Sequence, residues 1–194
     1  MDAKTVVPWS MAIFRALLGP GIVAVAQSLE KPEAWLATMI VLGLVSDISD
    51  GILARRWQSD TGALRLADSV CDDIFYLGVA VVAVGHHWQA IRPSVWLLVA
   101  VLVLEALRIL CDWLKYGRMA SYHSYAAKAW GVLLASSAVA LICFDSGSTL
   151  LTLALAWGIA CELEGLAMTA LLPNWARDVK SISHALALRD RMLA

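Results

Sequence analysis

Residues 33–72 read EAWLATMIVLGLVSDISDGILARRWQSDTGALRLADSVCD, and this stretch predicts two membrane helices with acids where they meet. One apolar run ends at Asp47 and Asp50, and the next begins with Asp68 and Asp72. About 20 apolar residues in a helix span a bilayer core. A charged side chain at membrane depth costs roughly 2.5–3.5 kcal/mol on insertion scales. These acids therefore need a partner, and a bound cation is the natural one.

Each pair of aspartates lies on one helical face. Asp47 and Asp50 are three residues apart, and Asp68 and Asp72 are four apart, which are the spacings of neighbours on a helix surface. The short connection between the two apolar runs places both pairs at the same side of the membrane. Carboxylate oxygens suit Mg²⁺ or Mn²⁺, and no set of histidines or cysteines matches zinc or a redox metal. The sequence therefore predicts that these four aspartates hold two divalent ions.

The composition is that of a membrane protein. Of 194 residues, 60% are hydrophobic and 16% are charged, whereas soluble domains have about 45–50% apolar and about 25% charged residues. This balance excludes a disordered chain, a disulfide-stapled secreted domain and a nucleic-acid binder with a basic face. The net charge of −1 gives no general attraction to anionic partners.

Turn signals and charges divide the chain into six apolar segments. They cover residues 8–27, 33–54, 66–85, 93–112, 129–144 and 149–172. Only helices and closed barrels satisfy the backbone hydrogen bonds in lipid, and segments of this length are helices. We therefore expect an all-α integral membrane protein with six transmembrane helices, formed by a single domain over residues 1–194.

The basic residues predict the orientation of these helices. With the N-terminus in the cytoplasm, the outer connections carry only Lys31 and Arg92, and the other Lys and Arg residues outside the spans lie on the inner side. Both termini then face the cytoplasm, and the aspartates line a polar, metal-binding cavity that opens to it. Residues 174–194 mix apolar and charged positions, which predicts an amphipathic helix on the inner surface. The expected location is the bacterial inner membrane.

The acids belong to a longer pattern. Residues 47–72 resemble the signature of the CDP-alcohol phosphotransferases, D-x2-D-G-x2-A-R-x8-G-x3-D-x3-D. The positions that match in register are Asp47, Asp50, Gly51, Ala54, Arg55, Asp68 and Asp72. Six spans with cytoplasmic termini are also the plan of that family.

The resemblance implies a reaction, in which a substituted phosphoryl group moves from a CDP-alcohol to an acceptor hydroxyl and CMP is released. Two divalent ions would clamp both phosphates of the donor. By resemblance, Asp47 and Asp68 bridge both ions, and Asp50 completes the set of one ion. Asp72 completes the other and also accepts the proton of the acceptor. The nucleotide would be bound by residues of the same stretch, namely Gly51, Ala54, Arg55 and Thr61.

The resemblance defines the reaction more closely than it defines the donor and the acceptor. Residues 53–57, LARRW, look like phosphatidylglycerophosphate synthases, so we expect CDP-diacylglycerol as donor and glycerol 3-phosphate as acceptor in phospholipid synthesis. Arg118 and Lys128 would meet a phosphorylated acceptor, unless they are positive-inside anchors. Inositol phosphate, serine or a second lipid as acceptor, and a CDP-aminoalcohol as donor, stay open. The implied partners are the CDP-activated substrate, membrane lipids and a second copy in a homodimer, without nucleic acid.

Two other interpretations remain. A membrane cation transporter would explain acids within spans, but not Gly51 and Arg55 beside them at one membrane face. An inactive member of the family is the other, because Leu64 stands where the signature has its second glycine. The first span also departs from the P-N-x-x-T-x-x-R that many members have. It keeps Pro8 and Arg15 and has Trp9 and Ala12 in place of Asn and Thr.

Overall fold

The computed structural model describes residues 3–57, 61–120, 122 and 124–193, without the side chains at 3–5, 54–55, 62–63, 65–66 and 69. This part of the chain contains α1 (Ala3–Ser28), α2 (Glu33–Trp57), α3 (Gly62–Ile91), α4 (Val95–Tyr116), α5 (Tyr125–Phe144), α6 (Ser148–Leu171) and α7 (Ile182–Leu193). A 3₁₀ turn at Arg92–Ser94 joins α3 to α4, and the described residues include no β-strand.

Each of the helices α1 to α6 overlaps one of the predicted segments, and the all-α prediction is confirmed. Within the described ranges, five stretches are long and apolar enough to cross a membrane, and the longest, Val70–Tyr116, takes in most of α3 and all of α4. α3 runs past the predicted end at residue 85 to Ile91 and is kinked at His87, whose φ of −126° and ψ of 30° are not helical. The orientation and the single domain stay predictions.

Two compact units make up the chain. The first consists of Met1–Ile91 and Ala135–Gly147, and the second consists of Arg92–Leu134 and Ser148–Ala194. α1, α2 and α3 therefore belong to the first unit, and α4, α6 and α7 belong to the second. The predicted metal ligands all lie in the first unit.

The first unit is built on α1, which packs against both α2 and α3. α1 and α3 approach so closely at Gly19 that a Cβ there would lie 2.5 Å from the carbonyl oxygen of Ile74. Glycine is required at this point because backbone atoms cannot move aside as side chains do. The buried apolar side chains of these three helices include Ile22, Leu36, Ile40 and Phe75.

In the second unit, α4 and α7 each pack against α6. α4 ends at Gly117, whose φ of 68° is left-handed and whose N–H donates to the carbonyl oxygen of Trp113, as in many helix C-termini. α7 buries Ala185 and leaves Ile182 and Leu186 exposed, so its apolar residues divide between an inner and an outer face. The buried cluster beneath α7 consists of Tyr122, Met168, Leu172, Ala176, Val179 and Ala185.

Candidate active site

The C-terminal half of α2 and the N-terminal part of α3 bring the predicted metal ligands together. One carboxylate oxygen from each of Asp47, Asp50 and Asp68 lies within 4.8 Å of the other two. Helical spacing explains the convergence, because each pair of aspartates occupies one face of its helix and both faces turn toward α1. The side chains differ in exposure, from 6% for Asp50 to 40% for Asp47. The cluster is therefore buried at one side and reachable by solvent at the other.

The guanidinium of Arg15 lies among these carboxylates. Arg15 of α1 is 1% exposed. Its Nη1 is 3.0 Å from Oδ1 of Asp47, and its Nη2 is 3.1 Å from Oδ2 of Asp50. The same Nη2 contacts Oδ1 of Asp68, and Nε is 2.5 Å from Oδ1 of Asp72. The fourth predicted ligand, Asp72, thus joins the other three through Arg15, and we name this set of five residues the Asp–Arg cluster.

The close packing of α1 and α3 positions the Asp–Arg cluster. Arg15 precedes Gly19 by four residues, so the two share one face of α1. Gly19 fixes that face against Ile74 and Phe75 of α3, about one turn beyond Asp72. The backbone contact at Gly19 therefore positions the main chain of Arg15 near the aspartates, and the long arginine side chain reaches them.

The residues present fit a divalent metal centre. Oδ2 of Asp50 and Oδ1 of Asp72 are buried and take part in no hydrogen bond within the described part of the chain, although each lies close to the guanidinium charge. Buried carboxylate oxygens of this kind are costly without a cation. Four carboxylates offer the hard oxygen ligands that Mg²⁺ and Mn²⁺ prefer. Asp47, Asp50, Asp68 and Asp72 are therefore the residues that could hold such ions.

The second unit contains a polar network that the sequence analysis missed. Asp112 of α4 is fully buried, and its Oδ1 accepts a hydrogen bond of 2.7 Å from Oγ1 of Thr169 in α6. The hydroxyl of Tyr122 lies 2.9 Å from the same Oγ1 and donates to it, since the proton of Thr169 is directed at Asp112. Burial raises the pKa of Tyr122, so this hydroxyl keeps its proton. The signal available in the sequence was Asp112 at the end of an apolar segment.

Arg108 extends this network across the second unit. Its Nε lies 2.7 Å from Oε2 of Glu162 in α6, and its Nη1 lies 3.6 Å from Oδ2 of Asp112. Gly165 leaves room for the arginine, because a Cβ there would lie 2.6 Å from its Cδ. An arginine within a span predicts an ion pair, and the contacts with Glu162 and Asp112 provide it.

Comparison with known proteins decides the family. The family model described as CDP-alcohol phosphatidyltransferase matches residues 5–185. The chain belongs to this family. The resemblance of residues 47–72 is thereby confirmed, and the Asp–Arg cluster is the part of this CDP-alcohol phosphatidyltransferase family member that contains the signature aspartates.

The matches to curated relatives cover only part of the chain. It is 29% identical over 109 residues to CDP-diacylglycerol–glycerol-3-phosphate 3-phosphatidyltransferases of Salmonella choleraesuis and Escherichia coli K12, a match that covers 53% of this chain and 58% of each relative. It is 35% identical over 77 residues to a cardiolipin synthase (CMP-forming) of Streptomyces coelicolor, which covers 40% of this chain and 34% of the relative. The chain thus matches little more than half the length of these phosphatidyltransferases. No solved structure matches it significantly.

The predicted nucleotide residues of this family member are partly described. Gly51 follows Asp50 on α2 and is half-buried. Thr61 is exposed, and its Oγ1 accepts a hydrogen bond of 3.2 Å from the N–H of Leu64, which caps the start of α3. The side chains of Ala54 and Arg55 lie outside the described residues. Leu64, which replaces the signature glycine, is buried.

The two predicted acceptor residues belong to the second unit. Arg118 is exposed and stacks on Trp175, with its Cζ 3.9 Å from the ring centroid. The indole N–H of Trp175 donates to the carbonyl oxygen of Met119, which orients the ring. Lys128 is exposed, and its Nζ lies 5.8 Å from the ring centroid of Tyr125. Both cations therefore keep donors available to an anion, and their role as acceptor contacts stays a prediction.

A cavity of about 420 Å³ occurs at the other end of the first unit. Its lining includes Glu33 at the start of α2 and His86 and His87 near the end of α3, whereas the aspartates lie near the opposite ends of these helices. Nδ1 of His87 is 3.1 Å from Oδ1 of Asp145. This cavity is distinct from the polar cavity expected beside the aspartates, which stays a prediction.

Proposed function

We propose that this protein transfers the phosphatidyl group of CDP-diacylglycerol to glycerol 3-phosphate and releases CMP. The observation that carries the proposal is the convergence of four signature aspartates in the Asp–Arg cluster. Relatives named CDP-diacylglycerol–glycerol-3-phosphate 3-phosphatidyltransferase support this choice of donor and acceptor. Because those matches cover about half of the chain, the choice of acceptor needs its own test.

Four carboxylates would hold two Mg²⁺ or Mn²⁺ ions in this proposal, namely those of Asp47, Asp50, Asp68 and Asp72. When bound, the ions would supply positive charge to the pyrophosphate of the donor. Asp50 is nearly buried, whereas Asp47 and Asp68 are 40% and 34% exposed. The exposed pair lies on the side from which a diphosphate could enter.

Asp72 would serve as the base. The oxygen of the acceptor hydroxyl forms a bond to the phosphatidyl phosphorus, and the bond from that phosphorus to the CMP oxygen breaks. CMP leaves with the electron pair of that bond, and the hydroxyl proton passes to a carboxylate oxygen of Asp72. The Asp72 side chain is 28% exposed, which leaves it open to a soluble acceptor. A carboxylate beside cations is a weak base, so the hydroxyl must be polarised as well.

The residues proposed to bind the two substrates are those that the resemblance assigns. We assign the CDP moiety to Gly51, Ala54, Arg55 and Thr61, and the phosphate of the acceptor to Arg118 and Lys128. A lipid donor explains why such an enzyme is in a membrane, because the acyl chains stay in the bilayer while the headgroup reaches the carboxylates. By the positive-inside rule the site and both termini face the cytoplasm of a bacterial inner membrane. A homodimer stays a prediction from the resemblance.

A lipid acceptor is the second candidate, and it is supported by a different relative. The relative named cardiolipin synthase (CMP-forming) is 35% identical over 77 residues, which favours a lipid hydroxyl as the alternative acceptor. The chemistry at the phosphorus would be the same, and the two differ in whether the acceptor arrives from water or from the bilayer. Inositol phosphate, serine and a CDP-aminoalcohol donor remain as further alternatives within the family. A cation transporter remains the alternative of another class.

The acceptor can be identified by product analysis. Purified protein in detergent with Mg²⁺ or Mn²⁺ is given CDP-diacylglycerol and one acceptor at a time: glycerol 3-phosphate, inositol phosphate, serine or phosphatidylglycerol. We expect lipid product and CMP only with glycerol 3-phosphate. Product with phosphatidylglycerol alone would replace the proposed acceptor by a lipid. Absence of product with every acceptor, together with divalent-ion flux in proteoliposomes, would favour the transporter.

A further inference from the structure

Arg15 uses three nitrogen atoms to contact all four carboxylates that the proposed metal centre needs. Nη1 contacts Asp47, Nη2 contacts Asp50 and Asp68, and Nε contacts Asp72. In each case the contact is made by a carboxylate oxygen, the atom that would bind a metal ion. With 1% of the arginine exposed, water does not weaken these contacts as it weakens those of a surface pair.

The charges of the cluster cannot all be satisfied at once. Among the described side chains of the cluster, the guanidinium of Arg15 faces four carboxylates, and carboxylates gathered in this way attract divalent cations. Two such ions bound by the same oxygens would lie close to the guanidinium, which is itself buried, and the like charges would repel each other. The guanidinium and the ions therefore compete for the same oxygens and for the same space.

We propose that Arg15 is an internal competitor of the divalent ions. Its guanidinium holds the four carboxylates together before the ions bind and withdraws from them as the ions load. This inference rests on the proposed metal centre and adds that metal loading is an exchange of one cation for others. Arg15 is thus a positioning residue, which preorganises the ligands and weakens the apparent affinity of the site for metal.

The backbone limits how the exchange can occur. Gly19, one turn beyond Arg15, is packed against the main chain of α3 at Ile74, so α1 cannot simply slide away from the aspartates. The withdrawal must use the side-chain torsions of Arg15. Because Asp47 and Asp68 are the more exposed carboxylates, ions can approach from their side while the guanidinium still contacts Asp50 and Asp72.

The test is metal binding without substrate. Free Mn²⁺ is measured by electron paramagnetic resonance in titrations of detergent-purified wild type and Arg15→Gln, and thermal unfolding is followed in EDTA and in saturating Mn²⁺. Since close charge pairs couple strongly, we expect Arg15→Gln to bind Mn²⁺ about tenfold tighter or more. Its Tm in EDTA should be lower than that of wild type, and Mn²⁺ should close this gap. The exposed Arg56 of α2 provides a matched loss of charge, and Arg56→Gln should keep wild-type affinity.

A second variant protects the test against misfolding. Arg15→Lys keeps the charge but offers one nitrogen in place of three, so it should fold in EDTA and bind Mn²⁺ with an affinity between those of wild type and Arg15→Gln. If Arg15→Gln does not fold even with Mn²⁺, the Mn²⁺ affinity of Arg15→Lys relative to that of the wild type tests the competition. Affinity equal to or weaker than that of wild type in the folded variants would overturn the competition. If the wild type itself binds no more Mn²⁺ than Asp68→Asn does, the proposed metal centre is wrong, which is a separate result.

Discussion

Gly19 of α1 and Gly78 of α3 are in backbone contact, since a Cβ built on Gly78 would lie 2.3 Å from the carbonyl oxygen of Gly19. This contact holds the helix that carries Arg15 against the helix that carries Asp68 and Asp72. The geometry of the Asp–Arg cluster therefore depends on two residues without side chains that take no part in the chemistry.

Gly78→Ala should accordingly separate α1 from α3. The new methyl group meets main-chain atoms, which cannot rotate away, and overpacking of this kind costs about 1–3 kcal/mol. We expect a lower Tm and a Mn²⁺ affinity that differs from that of the wild type, because both the competing guanidinium of Arg15 and the ligands on α3 shift. Gly85→Ala in the same helix is the matched control, because a Cβ there would have no atom within 4 Å. Equal Tm and Mn²⁺ affinity in the two variants would show that the close approach does not position the cluster.

Arg108 and Glu162 should stabilise the second unit only when both are present, since either charge alone would be buried without its partner. Their side chains are 18% and 8% exposed, so Arg108→Met leaves a carboxylate buried without its partner, which costs about 3–5 kcal/mol. The double variant with Glu162→Met should be more stable than Arg108→Met alone, because it removes the unpaired charge. Thermal unfolding of the four proteins checks this. Strictly additive losses would mean that the two side chains do not interact.

Thr61 has a role in the fold that can be separated from its predicted role in binding. Thr61→Ala removes the hydroxyl that caps α3 and should cost about 0.5–2 kcal/mol, whereas Thr61→Ser keeps the cap. If Thr61 also contacts the nucleotide, the alanine variant raises the KM for CDP-diacylglycerol and the serine variant restores it. We expect both effects. Unchanged stability in Thr61→Ala would contradict the cap, and an unchanged KM would remove Thr61 from the nucleotide site.

The sequence was sufficient to locate the membrane helices and to predict that the aspartates share helical faces. Hydropathy and turn residues locate spans because lipid forces each apolar segment into a helix, and helical spacing pairs Asp47 with Asp50. Hydropathy is a weaker guide to helix ends, which hydrogen bonding determines. α3 continues past the polar residues His86 and His87 to Ile91 across a kink at His87, so these residues mark the kink and not the helix end.

The partner of the acids could not be predicted in the same way. The carboxylates were expected to need a cation, and Arg15 was visible within the first span, but nothing local links residue 15 to residues 47–72. That link depends on the packing of α1 against α3 at Gly19. The contact of Thr169 with Asp112 was missed for the same reason, since the two residues lie 57 positions apart.

Acceptor-dependent CMP release by Asp72→Asn tests the central claim most directly. Asp73, the next residue, is exposed on another face of α3, so Asp73→Asn controls for loss of a neighbouring carboxylate. Both purified variants and the wild type are assayed with CDP-diacylglycerol, Mg²⁺ and glycerol 3-phosphate, after thermal unfolding has verified that they are folded. The account predicts a loss of about 10²–10⁴-fold or more in Asp72→Asn, as for removal of a general base, and the wild-type rate in Asp73→Asn. Substantial acceptor-dependent release by folded Asp72→Asn would contradict it.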